Sequence, residues 1–163
     1  MKHLLLLLTI CMSLPVFVSA QRKSPHDTVS NGNVAVTYGR PYKKERVIFG
    51  GLEAYGKPWR VGADEATTIT FKNDVKFAGQ TVKAGTYTMF AVPNEKEWTI
   101  ILNSVLGQWG AYSYDKNKDK DVLKVNVPVK KLDKVVEQLT IRFDPDKSMI
   151  IEWDQTQVKV PIE

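Results

Sequence analysis

Cysteine is all but missing from this chain: 163 residues contain one, Cys11, and histidine is nearly as scarce, with only His3 and His26. Cys11 and His3 both fall in the first twenty residues. There, Met1-Lys2-His3 gives a basic start, Leu4 to Val18 runs almost without polarity, and Val18-Ser19-Ala20 offers a small-residue junction before Gln21-Arg22-Lys23. A basic start, a short apolar run and a small-residue junction are the parts of a secretory signal peptide. The run is shorter than the ~20 residues that cross a bilayer, and Pro15 interrupts it. The expectation is cleavage after Ala20, a periplasmic or secreted product, and no transmembrane segment after cleavage. Lipid attachment at Cys11 is the weaker alternative, because Ile10 stands where a small residue is usual. The mature chain then has no thiol and one histidine, which excludes disulfide staples, thiol nucleophiles, cysteine-based zinc sites and any site needing two histidines from one chain. No cofactor and no metal is implied.

A dominant charge sign is also lacking. The formal net charge is +5, with acids interspersed among the bases. This balance suits solubility and argues against nucleic acid as a partner. The run Asp115-Lys116-Asn117-Lys118-Asp119-Lys120-Asp121 is rich enough in oxygen donors to suggest calcium, but a lysine at nearly every second place makes it a solvated loop instead. Helical periodicity is the third scarcity. Only Lys131-Leu132-Asp133-Lys134-Val135-Val136-Glu137 resembles a helix, and its length and β-branching limit it to one or two turns.

What the chain does have is period-2 alternation, the mark of half-buried strands. Val34, Val36 and Tyr38 share a face, as do Ile69 and Phe71, and Tyr87, Met89 and Ala91. Pro93 and Asn94-Glu95-Lys96 then turn the chain into Trp98, Ile100 and Leu102. Later faces are Leu123, Val125, Val127 and Val129; Leu139, Ile141 and Phe143; and Met149, Ile151 and Trp153. Val158 to Ile162 reads as an edge strand because Pro161 cannot donate to a ladder. Ala78-Gly79-Gln80, Lys83-Ala84-Gly85 and Asp144-Pro145-Asp146-Lys147 mark turns. Many short strands with frequent turns predict an all-β fold, an antiparallel β-sandwich of jelly-roll type or a flattened barrel. The organisation expected is a signal peptide over 1–20, a polar N-terminal segment over 21–32 and one domain over 33–163. With 43% hydrophobic residues, that domain can build a core unaided.

Ser24-Pro25-His26, Val36-Thr37-Tyr38-Gly39-Arg40-Pro41, Ile48-Phe49-Gly50-Gly51-Leu52, the long motif from Tyr55-Gly56-Lys57-Pro58-Trp59-Arg60 to Thr67, Ala84-Gly85-Thr86-Tyr87 and Trp109-Gly110-Ala111-Tyr112 occur in that order. Together they resemble the secreted bacterial family called domain of unknown function 2911, common in Bacteroidetes. The resemblance covers nearly all of the mature chain. It implies no activity, since the family has none assigned, and the chain has neither the glycine-rich phosphate loop nor the nucleophile of an ATP-using ligase.

One segment gathers the residue types of a built site. Tyr55 to Thr68 combines turn residues, two large aromatics and Arg60 followed by Asp64 and Glu65, just before a strand. Two readings stand. Arg60 with Asp64 or Glu65 is a structural ion pair, or these residues line a cleft where Glu65 acts as an acid or base with His26 as partner. Gly50-Gly51, Gly56 and Gly62 are read as suppliers of positive φ in tight turns. Trp59 and Trp98 belong to apolar patterns and are expected in the core. Trp109 and Tyr112, set around Gly110, are expected to be exposed, where flat aromatic faces stack on sugars. The ligand-binding candidates are therefore Arg60, Asp64, Glu65, Trp109, Tyr112 and His26. The favoured function is a non-catalytic binding module for a small molecule, glycan or envelope partner; the alternatives are a hydrolase using Glu65 and His26, or a purely structural envelope protein.

Overall fold

A computed structural model describes residues 23–163. The expected signal peptide and its expected cleavage junction lie outside the described residues. The described residues form nine strands: β1 (His26–Ser30), β2 (Val34–Gly39), β3 (Thr68–Phe71), β4 (Val75–Phe77), β5 (Gln80–Val82), β6 (Gly85–Val92), β7 (Glu97–Asn103), β8 (Asp121–Phe143) and β9 (Met149–Val160). Seven of them make one antiparallel sheet in the order β1-β2-β3-β6-β7-β8-β9, and β4 and β5 form a separate hairpin. The fold is all-β, as the alternation predicts. Of the two layouts anticipated, the flattened barrel is the nearer. The strand order is a meander, and the long β8 carries the curl. Its first third pairs with β7 (Trp98↔Val127, Ile100↔Val125) and its remainder with β9 (Val129↔Val158, Ile141↔Ile151). The same late part of β8 also meets the chain beyond β2: Leu139 N–H donates to Pro41 O at 3.0 Å and Lys43 N–H to Glu137 O at 2.7 Å.

Each predicted apolar face turns inward, and Val36, Ile69, Met89, Trp98, Ile100, Ile151 and Trp153 are fully buried. Phe49 and the three tryptophans 59, 98 and 153 form an aromatic centre, with Phe49–Trp98 centroids 4.8 Å apart and Trp59 stacked on Trp153 at 6.1 Å. Trp59 and Trp98 are in the core, as expected. Ala78 and Gly79 have φ of 48° and 81°, the two positive values that a two-residue type I′ hairpin turn requires.

Three expectations need correction. Lys131–Glu137 is not helical but lies within β8, where five steps from Lys131 to Val136 oppose two from Thr156 to Asp154. Extra residues are accommodated as a bulge, and Val135 and Val136 suit extended backbone better than a helix. The helical turns occur instead in the lysine-rich run read as a solvated loop, at α1 (Tyr114–Asn117) followed by a 3-10 turn over Lys118–Lys120. Tyr114 packs its ring on Phe90 at 5.1 Å and covers, with Ala66, the outer face of the sheet at Phe90 and Ile101. That second face escaped a period-2 reading because it is buried only locally. Finally, residues 26–30 of the polar N-terminal segment are the first strand of the sheet, paired with β2 from His26↔Gly39 to Ser30↔Ala35.

Candidate functional site

The Arg60–Thr67 segment leaves the sheet as a closed loop. At its base Trp59 pairs with Ala91 of β6 through hydrogen bonds of 2.7 and 2.9 Å, and Thr67 N–H donates to Arg60 O at 3.1 Å. The buried Thr67 hydroxyl donates to Val61 O at 2.8 Å. Val61, β-branched and fully buried, has a φ of 55°, and Asp64 has 65°. Such backbone is strained for side chains of this kind and persists only where its surroundings enforce it.

Glycine enforces it by absence of bulk. A Cβ on Gly39 would stand 2.3 Å from Ala63 O, and one on Gly62 would stand 3.0 Å from Gly39 O. The loop thus rests directly on the end of β2. This corrects the glycine reading at Gly51 and Gly62, which do not have positive φ. Gly50 and Gly56 have positive φ, at 83° and 70°, whereas Gly62 and Gly51 are required by close approach, a Cβ on Gly51 lying 2.5 Å from Val47 O.

The loop divides the candidate residues between two concavities. One is a cleft of about 440 Å³ whose polar lining includes Lys23, Lys44, Arg46, Glu53, Arg60 and Asp64, with Tyr42, Leu52 and the edge of Trp153 as apolar surface. The other, about 230 Å³, holds His26 and Glu65 with Tyr38 and Gln108. Neighbouring acids therefore face opposite ways. Asp64 Oδ2 accepts the backbone N–H groups of Lys23 and Ser24, both at 3.1 Å. Glu65 Oε2 lies 3.0 Å from His26 Nε2, while His26 Nδ1 faces Ser24 O at 3.1 Å.

Arg60 is the exception to this pairing. Among the described residues its side chain makes no ion pair with Asp64 or Glu65, so the structural pair considered from sequence is not formed. Its Nε is sequestered from solvent without a hydrogen-bond partner, although buried guanidinium donors are ordinarily satisfied. The charge nearest in effect is Glu53, which sequence reasoning missed. It directly follows the Ile48–Leu52 motif, in a compact turn where Glu53 N–H donates to Ile48 O and Gly50 N–H to Glu53 O, both at 2.9 Å. Burial raises the Glu53 carboxyl to about 7, against the opposing pull of Arg60 and Arg46. A carboxyl there exchanges its proton near neutrality and both donates and accepts hydrogen bonds.

The Trp109–Tyr112 loop reaches the same place. Gly110 N–H donates to Asp64 O at 3.0 Å, Ala66 N–H to Gln108 O at 2.9 Å, and Glu65 pairs with Trp109 through the backbone. Gly110 lies between Arg60 and Tyr112: a Cβ there would be 2.7 Å from the Tyr112 ring and 3.2 Å from Arg60 Nη1. Trp109 and Tyr112 are 38% and 82% exposed, the expected solvent-facing aromatics. Their loop is anchored by a polar network that sequence reasoning also missed. Buried Asn103 Nδ2 donates to Asn117 O at 2.8 Å and to Asp121 Oδ1 at 2.7 Å, and its Oδ1 accepts Val105 N–H at 2.9 Å. Gln108 Nε2 donates to Val105 O at 2.9 Å, and its Oε1 accepts the Ser113 hydroxyl at 2.9 Å. Tyr114 donates to Asp121 Oδ2 at 2.7 Å, and burial together with that bond raises its hydroxyl to about 12.

The described residues contain no group of three or more His, Cys, Asp and Glu side chains placed to hold a metal. None of their helices is long and apolar enough to cross a membrane. No curated protein and no solved structure matches the chain. A family model does match, over residues 20–162, and the chain belongs to the family described as protein of unknown function (DUF2911).

Proposed function

We propose that this is an exported, non-catalytic binding module whose Arg60 cleft takes a small anionic ligand. Periplasmic or secreted delivery follows from the signal-peptide pattern of residues 1–20. The observation that carries the ligand reading is Arg60, which lines a cleft of about 440 Å³, a size within the range of small-molecule sites, and whose Nε has no hydrogen-bond partner among the described residues. Lys23, Lys44 and Arg46 add positive charge, while the Asp64 carboxylate is occupied by two backbone donors. A guanidinium is a bidentate partner for carboxylates and phosphates. Calorimetric titration with acetate, inorganic phosphate, citrate and neutral glucose tests this. At least one anion should bind saturably and glucose alone should not, and Arg60→Gln should weaken the anion at least tenfold. Equal binding by the variant, or no binding of any anion, would overturn the reading.

The second concavity supports a second reading. His26 and Glu65 at 3.0 Å form a pair of the kind used in general acid–base chemistry, which keeps a hydrolase in view. Turnover of nitrophenyl esters or glycosides, lost in Glu65→Gln, would establish it. Identical rates with the wild type and the variant would remove it.

A further inference from the structure

The cleft has a more selective chemistry than attraction to anions, and this deepens the preceding reading and rests on it. Four observations narrow the ligand. First, its cationic anchor is a guanidinium, whose planar donors match the two oxygens of a carboxylate. Second, the cleft carries acids as well as bases. Glu53 and Asp64 stand among Lys23, Lys44, Arg46 and Arg60, so the cleft offers hydrogen-bonding carboxyl groups beside its cations, which a hydroxylated ligand can use and a bare anion cannot. Third, Glu53 lines the cleft and burial raises its carboxyl to about 7, so it can donate to or accept from a hydroxyl, as the exposed Tyr42 that also lines the cleft can. Fourth, Tyr112, outside the residues that line the cleft, is 82% exposed, and its ring and Arg60 Nη1 both approach Gly110, 2.7 and 3.2 Å from where a Cβ would stand. An aromatic face held beside a guanidinium offers stacking to the apolar face of a ring whose substituent is anionic.

A ligand meeting all four conditions carries one carboxylate, several hydroxyls and a flat apolar face. We infer that the Arg60 cleft binds a hexuronic acid residue, with Arg60 holding the carboxylate, Glu53 and Tyr42 meeting ring hydroxyls, and Tyr112 stacking on the sugar face. The fixed loop geometry supports this, because the Arg60 loop and the Tyr112 loop are tied together by Gly110 N–H to Asp64 O and Ala66 N–H to Gln108 O. The two contacts on one sugar are therefore presented at a set distance.

The test is calorimetric titration of the mature protein with D-galacturonate, D-galactose, acetate, inorganic phosphate and an α-1,4-linked trigalacturonate. D-galacturonate should bind at least tenfold tighter than galactose or acetate, since carboxylate and ring contribute together. Arg60→Gln should lose at least tenfold, and Tyr112→Ala about fivefold for galacturonate with no change for acetate. A trisaccharide binding much tighter than the monosaccharide would make the natural source a polymer, and equal affinities would make it the free sugar acid; either supports the inference. Acetate or phosphate binding as tightly as galacturonate, with Tyr112→Ala without effect, would overturn the hexuronate while leaving the anion cleft. Binding of no probe to a wild type with an ordinary cooperative melt would overturn both.

Discussion

The aromatic centre and the Trp109–Tyr112 loop both adjoin the Arg60 segment, through Trp59 and through Gly110 N–H to Asp64 O, and are held by opposite means. Phe49, Trp59, Trp98 and Trp153 pack ring against ring with no polar bond between them; the Nε1 atoms of Trp59 and Trp98 have no hydrogen-bond partner among the described residues. The loop carries its rings outside and is anchored underneath by Asn103, Gln108, Ser113, Asn117 and Asp121. Packing tolerates imprecision in direction, whereas a buried amide network is stable only when each member is satisfied. The centre therefore supplies stability, and the loop supplies a fixed position for two exposed rings.

Trp98→Ala should produce the largest effect, about 3–5 kcal/mol by urea denaturation, as a fully buried indole leaves a cavity. Gly39→Ala comes next. A Cβ 2.3 Å from a backbone carbonyl must push the Arg60 loop off β2, at a cost of about 1–3 kcal/mol. Asn103→Ala orphans buried partners at about 1–3 kcal/mol. Unlike Trp98→Ala, it should accelerate amide exchange selectively at Ala66 and Gly110. Uniform acceleration across the sheet would erase the distinction between the two regions.

Glu53 gives a smaller, pH-dependent effect. Its folded carboxyl is raised to about 7, so the folded state binds the proton more tightly than the unfolded chain does. Its contribution is complete below the ordinary value of 4.5 and is lost as pH rises towards 7. Arg60, Arg46, Lys44, Lys23 and Asp64 share its surroundings. Relative to Glu53→Gln, the wild type should lose stability on the order of 1–2 kcal/mol between pH 4.5 and 8. A gap that widens towards acid would reverse the sign and contradict burial as the cause. Smallest of all should be Tyr112→Ala and Arg60→Gln, within about 0.5 kcal/mol of wild type, since one ring is exposed and the guanidinium makes no ion pair within 4 Å among the described residues.

The same contrast explains what was legible in the sequence. Faces such as Trp98, Ile100 and Leu102 repeat at the period of a strand, so the sheet could be read directly. Asn103, Gln108 and Asn117 have no period, and only tertiary placement turns them into a network. Arg60, Trp109 and Tyr112 stood out as charged or aromatic residues among glycines. Glu53 did not, because a single acid after a glycine turn carries no pattern that marks its burial, which only tertiary placement creates. Sequence spacing also grouped Asp64 with Glu65, which positive φ at Asp64 sends into separate concavities.

The most direct test is a nitrogen–proton NMR titration of residues 21–163 with D-galacturonate, following the Arg60 guanidinium and the Gly110 and Tyr112 amides. The account predicts saturable shifts at these groups with one common dissociation constant, and none for the Arg60 group with galactose. Shifts confined to the His26–Glu65 concavity, or no saturable shift at Arg60 with any anion, would contradict it.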